Sequence, residues 1–86
     1  MHLIEEHILR KVNGNAVLVP LGETDFNGMI ALNHTAEEVC KMLQQDTDID
    51  SITAKLAEEY AVEPTQVKAD VEAFLAQLDG CNMLIR

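Results

Sequence analysis

The sequence has very few aromatic residues: two phenylalanines, one tyrosine and no tryptophan among 86 residues. A core without large rings must be built from aliphatic side chains, which leucine, isoleucine, valine, methionine and alanine supply here. A chain of this length buries only about 60–65% of the surface that it exposes when unfolded. We therefore expect one small domain, residues 1–86, with no internal repeat and no linker.

Basic residues are also scarce, with 6 Lys and Arg against 15 Asp and Glu and a net charge of −9. Nucleic-acid backbones and anionic membrane surfaces both attract Lys and Arg, so we expect neither as a partner. No apolar run approaches the ~20 residues that a membrane span needs. The N-terminal residues are acidic where a secretory signal would be basic. Proteins or peptides remain as the expected partners.

The residues that usually carry chemistry are too scattered to form a familiar site. The two cysteines have no CxxC spacing, the three histidines have no HExxH arrangement, and the four glycines stand singly in turn positions. We therefore expect no catalytic residue, no bound metal and no cofactor. The sequence predicts a protein that is not an enzyme and that resides in the reducing cytoplasm.

The first third of the chain predicts a three-stranded antiparallel meander. The segment HILRKVNGNAVLVPLG is typical of a hairpin, because Asn13-Gly14 tolerates the positive φ angles of a type I′ turn. Asn27-Gly28 predicts a second turn, and MIALN, residues 29–33, predicts the third strand. In a meander, the first and third strands are the edges of the sheet.

The remainder of the chain predicts three helices, because the apolar period changes from 2 to 3.6 residues at Thr35. Thr35 and Glu38 are expected to form a capping box at the first helix, and Asp48 to cap the second. Pro64 suits the first turn of the third helix, and Gly80 its end. The residues expected to face the core on these helices include Ala36, Val39, Cys40, Leu43, Ile49, Ile52, Leu56, Tyr60, Phe74, Leu75 and Leu78. The predicted fold class is α+β, a three-stranded sheet followed by a three-helix bundle of winged-helix type.

Winged-helix folds often bind DNA through the third helix, but this third helix is unsuited to that role. It contains one lysine and no arginine, and its exposed positions include Asp70, Glu72 and Asp79. Negative charge at these positions repels phosphate, so DNA binding is not expected.

The third strand is the more informative feature, because residues 29–33 carry no charge at all. An unpaired strand edge is a template for another strand, and peptides bind in this way through main-chain hydrogen bonds. The residues alone leave three alternatives open. The edge either accepts a peptide, or it is covered by the chain's own helices or tail, or by a second copy in a homodimer.

Two segments, LNHTAEEV and EEYAVEPTQVKADVEAFLAQL, resemble the PqqD family in order and spacing. The resemblance runs approximately over residues 8–84 and implies a degenerate winged helix-turn-helix that performs no chemistry and holds no cofactor. Such domains are known as RiPP recognition elements. They bind the leader of a ribosomally made precursor peptide as an added strand, and present it to a modifying enzyme, often a radical SAM protein.

Carried onto this sequence, the resemblance implies a leader paired with the third strand and walled by the first half of the third helix. The implied peptide-binding residues are Met29, Ile30, Ala31, Leu32, Asn33, Val67, Lys68 and Val71. Judged from the residues themselves, Val67 and Val71 face either the core or the groove, and Lys68 either meets a leader carboxylate or stays solvated. The alternative function is a winged-helix-like interaction or regulatory domain that forms a homodimer and binds no leader.

Overall fold

The computed structural model describes residues 1–21 and 29–86, which form an α+β fold. Its elements in chain order are β1 (His2–Leu3), β2 (His7–Val12), β3 (Asn15–Pro20), β4 (Ile30–Leu32), α1 (His34–Met42), α2 (Ile49–Tyr60), α3 (Pro64–Gly80) and β5 (Leu84–Ile85). Strands β2, β3 and β4 form one antiparallel sheet in that order, and β1 pairs with β5. The predicted fold class, a three-stranded sheet followed by three helices, is confirmed.

The first hairpin forms as predicted from its turn residues. Val12 pairs with Asn15, so only Asn13 and Gly14 lie in the loop between β2 and β3. Their φ angles are 53° and 82°, the left-handed values that a type I′ turn requires at both central positions. The predicted second turn at residues 27–28 lies outside the described residues.

Strand β4 is shorter than the predicted five residues and pairs with β3. Its burial alternates, with Ile30 and Leu32 buried and Ala31 exposed. A period of two places Ile30 and Leu32 on the face that packs against the helices, where both join the hydrophobic core. The strand is thereby held to the bundle by its inward side chains and to β3 by its ladder.

Helix α1 begins earlier than the sequence predicted. The prediction that Thr35 caps this helix in a box with Glu38 is wrong: the N-cap is Asn33, whose Oδ1 accepts the N–H of Ala36 at 2.8 Å. Asparagine is at least as good an N-cap as threonine, and capping at Asn33 starts the helix directly after β4. Thr35 instead lies in the first helical turn.

The other helix starts follow the predictions. Asp48 caps α2, because its Oδ1 accepts the N–H of Ser51 at 2.7 Å, and this backbone hydrogen bond lowers the pKa of Asp48. Pro64 is the first residue of α3, where its fixed φ suits a helix and its missing N–H leaves no bond unmade. Both helix starts therefore rest on local chemistry that can be recognised in the sequence.

The end of α3 is a Schellman motif centred on Asn82. The helix ends at Gly80 as predicted, but the left-handed residue is Asn82, with φ 58°. The N–H of Met83 donates to the carbonyl of Leu78 at 2.9 Å, and that of Asn82 donates to Asp79 at 3.1 Å. Met83 and Leu78 are both fully buried, and they occupy the two positions whose side chains commonly make an apolar contact in this motif.

The core is aliphatic, and most of the helical residues predicted to face it do so. Its fully buried larger side chains are Leu18, Leu43, Ile52, Leu56, Leu78, Met83, Val39, Val71 and Cys40. The prediction for Tyr60 is wrong, because its side chain is 38% exposed and stands edge-on to the ring of His34, 6.1 Å between centroids. Tyr60 is the last residue of α2, so it extends beyond the region where α2 packs on the bundle.

The apolar C-terminal segment packs back on the core as a strand. Strand β5 pairs with β1 through Leu3 and Leu84, both of which are buried. The N–H of Leu3 also donates to the carbonyl of Leu43 at 3.0 Å, which attaches β1 to the end of α1. No helix of the described residues is long and apolar enough to cross a membrane.

Ala61 provides a test of the α2 terminus, because it holds left-handed angles of φ 53° and ψ 45°. A side chain in this region costs about 1 kcal/mol relative to glycine. We expect Ala61→Gly to raise the free energy of unfolding in urea by about 0.5–1 kcal/mol. The matched control is Ala54→Gly at an exposed site within the same helix, which should lower it by a similar amount. An equal loss of unfolding free energy in both variants would contradict the left-handed conformation of Ala61.

The two thiols should differ in reactivity. Burial, and secondarily the nearby carboxylate of Glu37, raises the pKa of Cys40 to about 12, whereas Cys81 is only half-buried. Because the thiolate is the nucleophile, a disulfide reagent at mildly alkaline pH should label Cys81 quickly and Cys40 only after unfolding. Labelling of a Cys81→Ser variant as fast in buffer as in urea would show that Cys40 is accessible in the native state.

Candidate functional site

The outer edge of β4 is the first component of the site. Within residues 1–21 and 29–86, β3 is the one strand that pairs with β4. Ile30 and Leu32 point to the core, Ala31 is exposed, and Met29 is 62% exposed just before the strand. The edge is thus uncharged and backed by buried side chains, which suits it to main-chain pairing with an extended segment.

The second component is a groove between α1 and α3 that starts where β4 ends, which we call the α1–α3 cleft. Its larger part has a volume of about 410 Å³ and is lined by Asn33, Thr35, Ala36, Val39, Asp70, Val71, Ala73, Phe74 and Gln77. A smaller part of about 210 Å³ continues from Thr35 between α2 and α3, and it is lined by Thr35, Leu56, Tyr60, Val62, Gln66, Val67 and Asp70. Thr35 and Asp70 line both parts, so the two adjoin at this pair of residues.

The structure brings together some of the predicted peptide-binding residues and separates others. Asn33, Val67 and Val71 line the cleft, and the two valines, 7% and 1% exposed, form its floor and belong to the core at the same time. Residues 29–32 do not line the cleft but lead to it along β4. Their role in binding a peptide, like that of the three lining residues, stays a prediction.

Lys68 lies away from the cleft. Two residues of an α-helix turn through about 200°, so Lys68 and Asp70 occupy nearly opposite sides of α3. The Nζ atom of Lys68 lies 3.9 Å from Oδ1 of Asp50, at the start of α2. Its contact in this structure is therefore with α2, and the structure offers no support for its predicted place in the groove wall.

The cleft wall on α3 includes residues that the sequence pattern did not mark as site residues. Asp70, Ala73, Phe74 and Gln77 recur at helical spacing beside the buried stripe of α3. Phe74 was predicted to be a core residue, and it is partly buried against the core while one side lines the cleft. The spacing is visible in the sequence, but its mixed polarity makes it indistinguishable from an ordinary exposed helix face.

The α1 wall of the cleft is anchored by Glu37, a carboxylate that is only 7% exposed. Its oxygens lie 3.7 Å from Nζ of Lys11 on β2 and 3.8 Å from Nζ of Lys41 on α1. Lys11 shares a cross-strand row with Ala16 and Leu32. This contact joins the far edge of the sheet to the first turn of α1.

A larger cavity of about 500 Å³ lies on the opposite side of α3, against Glu72, Leu75 and Ala76. It includes no residue of β4 or α1, so it is separate from the strand edge. We therefore place the candidate site at β4 and the α1–α3 cleft, where an unpaired edge and a groove meet.

These features define the class of the protein: a winged-helix type of α+β domain whose sheet edge opens on a groove between two helices. In the part of the chain that the structure describes, no group of three or more His, Cys, Asp or Glu is placed to hold a metal ion. Residues 15–84 match the family model for coenzyme PQQ synthesis protein D (PqqD), and the chain belongs to that family. The resemblance noted in the sequence is confirmed.

A solved structure shows the same fold. TbiB1 in complex with the TbiA(beta) leader peptide superposes with a TM-score of 0.76 at 19% identity, covering 93% of this chain and 90% of that chain. At this identity the likeness establishes the shared fold. A search of curated proteins found no significant match.

The corrected cap at the joint of β4 and α1 can be tested by two substitutions. We expect Asn33→Ala to lower the free energy of unfolding by about 1 kcal/mol, because the N–H of Ala36 loses its acceptor. Thr35→Ala should change it by less than about 0.5 kcal/mol, since Thr35 does not cap the helix. Urea titration of the two variants tests which residue caps α1. A larger loss of unfolding free energy in Thr35→Ala than in Asn33→Ala would support the capping box of Thr35 and Glu38 instead.

Proposed function

We propose that this protein binds the leader segment of a ribosomally made precursor peptide as a strand added to β4. The observation that carries the proposal is the uncharged β4 edge, which pairs with no strand of residues 1–21 and 29–86 on its outer side and leads into the α1–α3 cleft. Membership of the PqqD family supports it, as does the fold shared with a chain that holds a leader peptide.

The dimensions of the site suit a short extended segment. A strand rises about 3.3 Å per residue, so six or seven residues span roughly 20–23 Å. Such a segment can pair along β4 (Ile30–Leu32), pass Asn33 and enter the cleft. Main-chain hydrogen bonds to β4 would then supply affinity that is independent of sequence, and the cleft would supply the choice of peptide.

Side chains alternate between the two faces of a strand, so a bound leader would have two sets of side chains, and each set would meet a different surface of the protein. One set of side chains would lie over Met29 and Ala31, on the exposed face of the sheet. The other set would point toward the cleft, whose floor is formed by Val67 and Val71. We expect the second set to determine specificity, because only that set enters a concave, partly apolar surface.

In this proposal the protein performs no chemistry itself. It holds the leader so that the rest of the precursor reaches a modifying enzyme, and a radical SAM protein is the enzyme class that the family suggests. The effect of such presentation is a raised local concentration of the precursor at the enzyme.

The decisive measurement is an amide chemical-shift titration of the isotopically labelled protein. The probe is a synthetic peptide with the leader sequence of a precursor gene adjacent to the gene for this chain. We expect the largest shifts at residues 29–33 and along the α1–α3 cleft, and small shifts at the cavity on the opposite side of α3. A binding peptide whose shifts fall mainly on that opposite side would place the site elsewhere.

A backbone substitution tests strand addition itself. Ala31→Pro removes one N–H of β4 and should weaken binding of that peptide at least about tenfold, because proline disrupts edge pairing. The control is Ala31→Thr, which keeps the N–H and has a high strand propensity, and which should bind like the parent. Amide spectra of both variants establish that the fold is intact, and hydrogen exchange in the parent should show new protection on binding at the amides of residues 29–33 that face away from β3.

A second copy of this chain is the competing occupant of the edge. In that case the amides of residues 29–33 that face away from β3 would already be protected in the free protein, and sedimentation would give the mass of a dimer. Under the proposed function the free protein sediments as a monomer, and protection of these outward-facing amides appears only when the peptide is added.

A further inference from the structure

We propose that Asp70 selects leader peptides that carry a lysine or arginine at the position entering the α1–α3 cleft. This inference rests on the proposed function and adds the chemical class of the peptide. It is drawn from the charge of the cleft, the absence of an ionic partner for Asp70 among the described residues, and the spacing of Asp70 and Phe74 along α3.

Among the described residues that line the cleft, Asp70 is the one that carries a formal charge. It lines both the larger and the smaller part, and the other lining residues are apolar or neutral polar side chains. All six Lys and Arg residues of the chain lie at positions that line neither part. A cation held by a peptide in this cleft would therefore meet a single carboxylate with no competing positive charge from the protein.

Asp70 has no ionic partner of its own among residues 1–21 and 29–86. Every lysine, arginine and histidine nitrogen of these residues lies more than 4.0 Å from its carboxylate. Lys68, the nearest basic residue in the sequence, contacts Asp50 on the other side of α3. By contrast, the buried Glu37 is already surrounded by cations. Asp70 is thus available to a ligand, whereas Glu37 is committed to the fold.

A peptide that covers Asp70 would have to pair with its carboxylate, and this requirement selects for a basic side chain. In the free protein its carboxylate is exposed to water, but a peptide in the cleft would place it between its own side chains and the apolar floor at Val67 and Val71. Burying an unpaired carboxylate is costly, so a peptide with an apolar or acidic residue here is penalised. A lysine or arginine at this position avoids the penalty, because it donates a charge-assisted hydrogen bond to the carboxylate.

The spacing along α3 extends the inference to a short pattern. Asp70 and Phe74 are four residues apart, and four residues of a helix rise about 6 Å. Side chains on one face of an extended peptide recur every two residues, about 6.6 Å. A peptide that runs along α3 would therefore meet Asp70 with a basic residue and Phe74 with an apolar residue two positions away.

The test is a selection from a library of short random peptides displayed on phage, at about 0.15 M salt to screen long-range attraction to the acidic protein. The protein selects peptides as the parent, as Asp70→Asn, and as Glu72→Gln. Glu72 lies on the same helix but faces the opposite cavity. Each variant loses one negative charge, so the comparison separates the position of the charge from the net charge.

We expect the parent and Glu72→Gln to enrich a lysine or arginine two positions from an apolar residue, and Asp70→Asn to lose that basic preference. One selected peptide should then bind Asp70→Asn about 5- to 20-fold more weakly than the parent by fluorescence anisotropy. A charge exchange completes the test: Asp70→Lys should restore binding to the peptide whose basic residue is replaced by glutamate.

The outcomes separate this inference from the function on which it rests. Peptides that bind the parent but keep the same basic preference with Asp70→Asn, or lose it equally with Glu72→Gln, overturn the role of Asp70 and leave peptide binding intact. A parent that enriches no peptide and shows no amide shifts with the leader overturns the proposed function and this inference with it.

Discussion

The placement of the site depends on the hydrogen bond from the N–H of Ala36 to Oδ1 of Asn33. Asn33 is the single residue between β4 and α1, so this cap also sets the angle at which the helix leaves the sheet. A longer connection would let α1 shift relative to the strand edge. With α1 fixed by its cap and by the Glu37 contacts, the groove between α1 and α3 begins immediately beside the end of β4.

Charge is distributed unequally between the two edges of the sheet. Strand β2 carries Arg10 and Lys11, and charged side chains on an edge disfavour pairing with other strands. Strand β4 carries none, and Asp70 is the only charged side chain among the described residues that line the adjoining cleft. The net charge of −9 is therefore a property of the whole surface, whereas recognition in the proposed function depends on a locally neutral edge and a single carboxylate.

Helix α3 contributes one stripe of residues to the core and an adjacent stripe to the side of the cleft. Val67 and Val71 are buried in the core and also form the floor of the cleft, while Asp70 and Phe74 provide its side. Close packing transmits a change of volume at either valine to its neighbours, so core substitutions on this helix also alter the shape of the groove. Because the same two valines serve the core and the cleft, the apolar pattern of α3 in the sequence does not distinguish core positions from site positions.

The sequence by itself determined the elements whose chemistry is local: the type I′ turn at Asn13-Gly14, the cap at Asp48, the start at Pro64, and the periodicity of the helices. These depend on residues within one or two turns of each other. Tertiary structure decided the rest. Asn33 and Thr35 are both competent caps, and the junction with the sheet selected between them. The pairing of β1 with β5, the exposure of Tyr60, the position of Lys68 away from the cleft and the isolation of Asp70 depend on elements distant in sequence, whose separations no local pattern encodes.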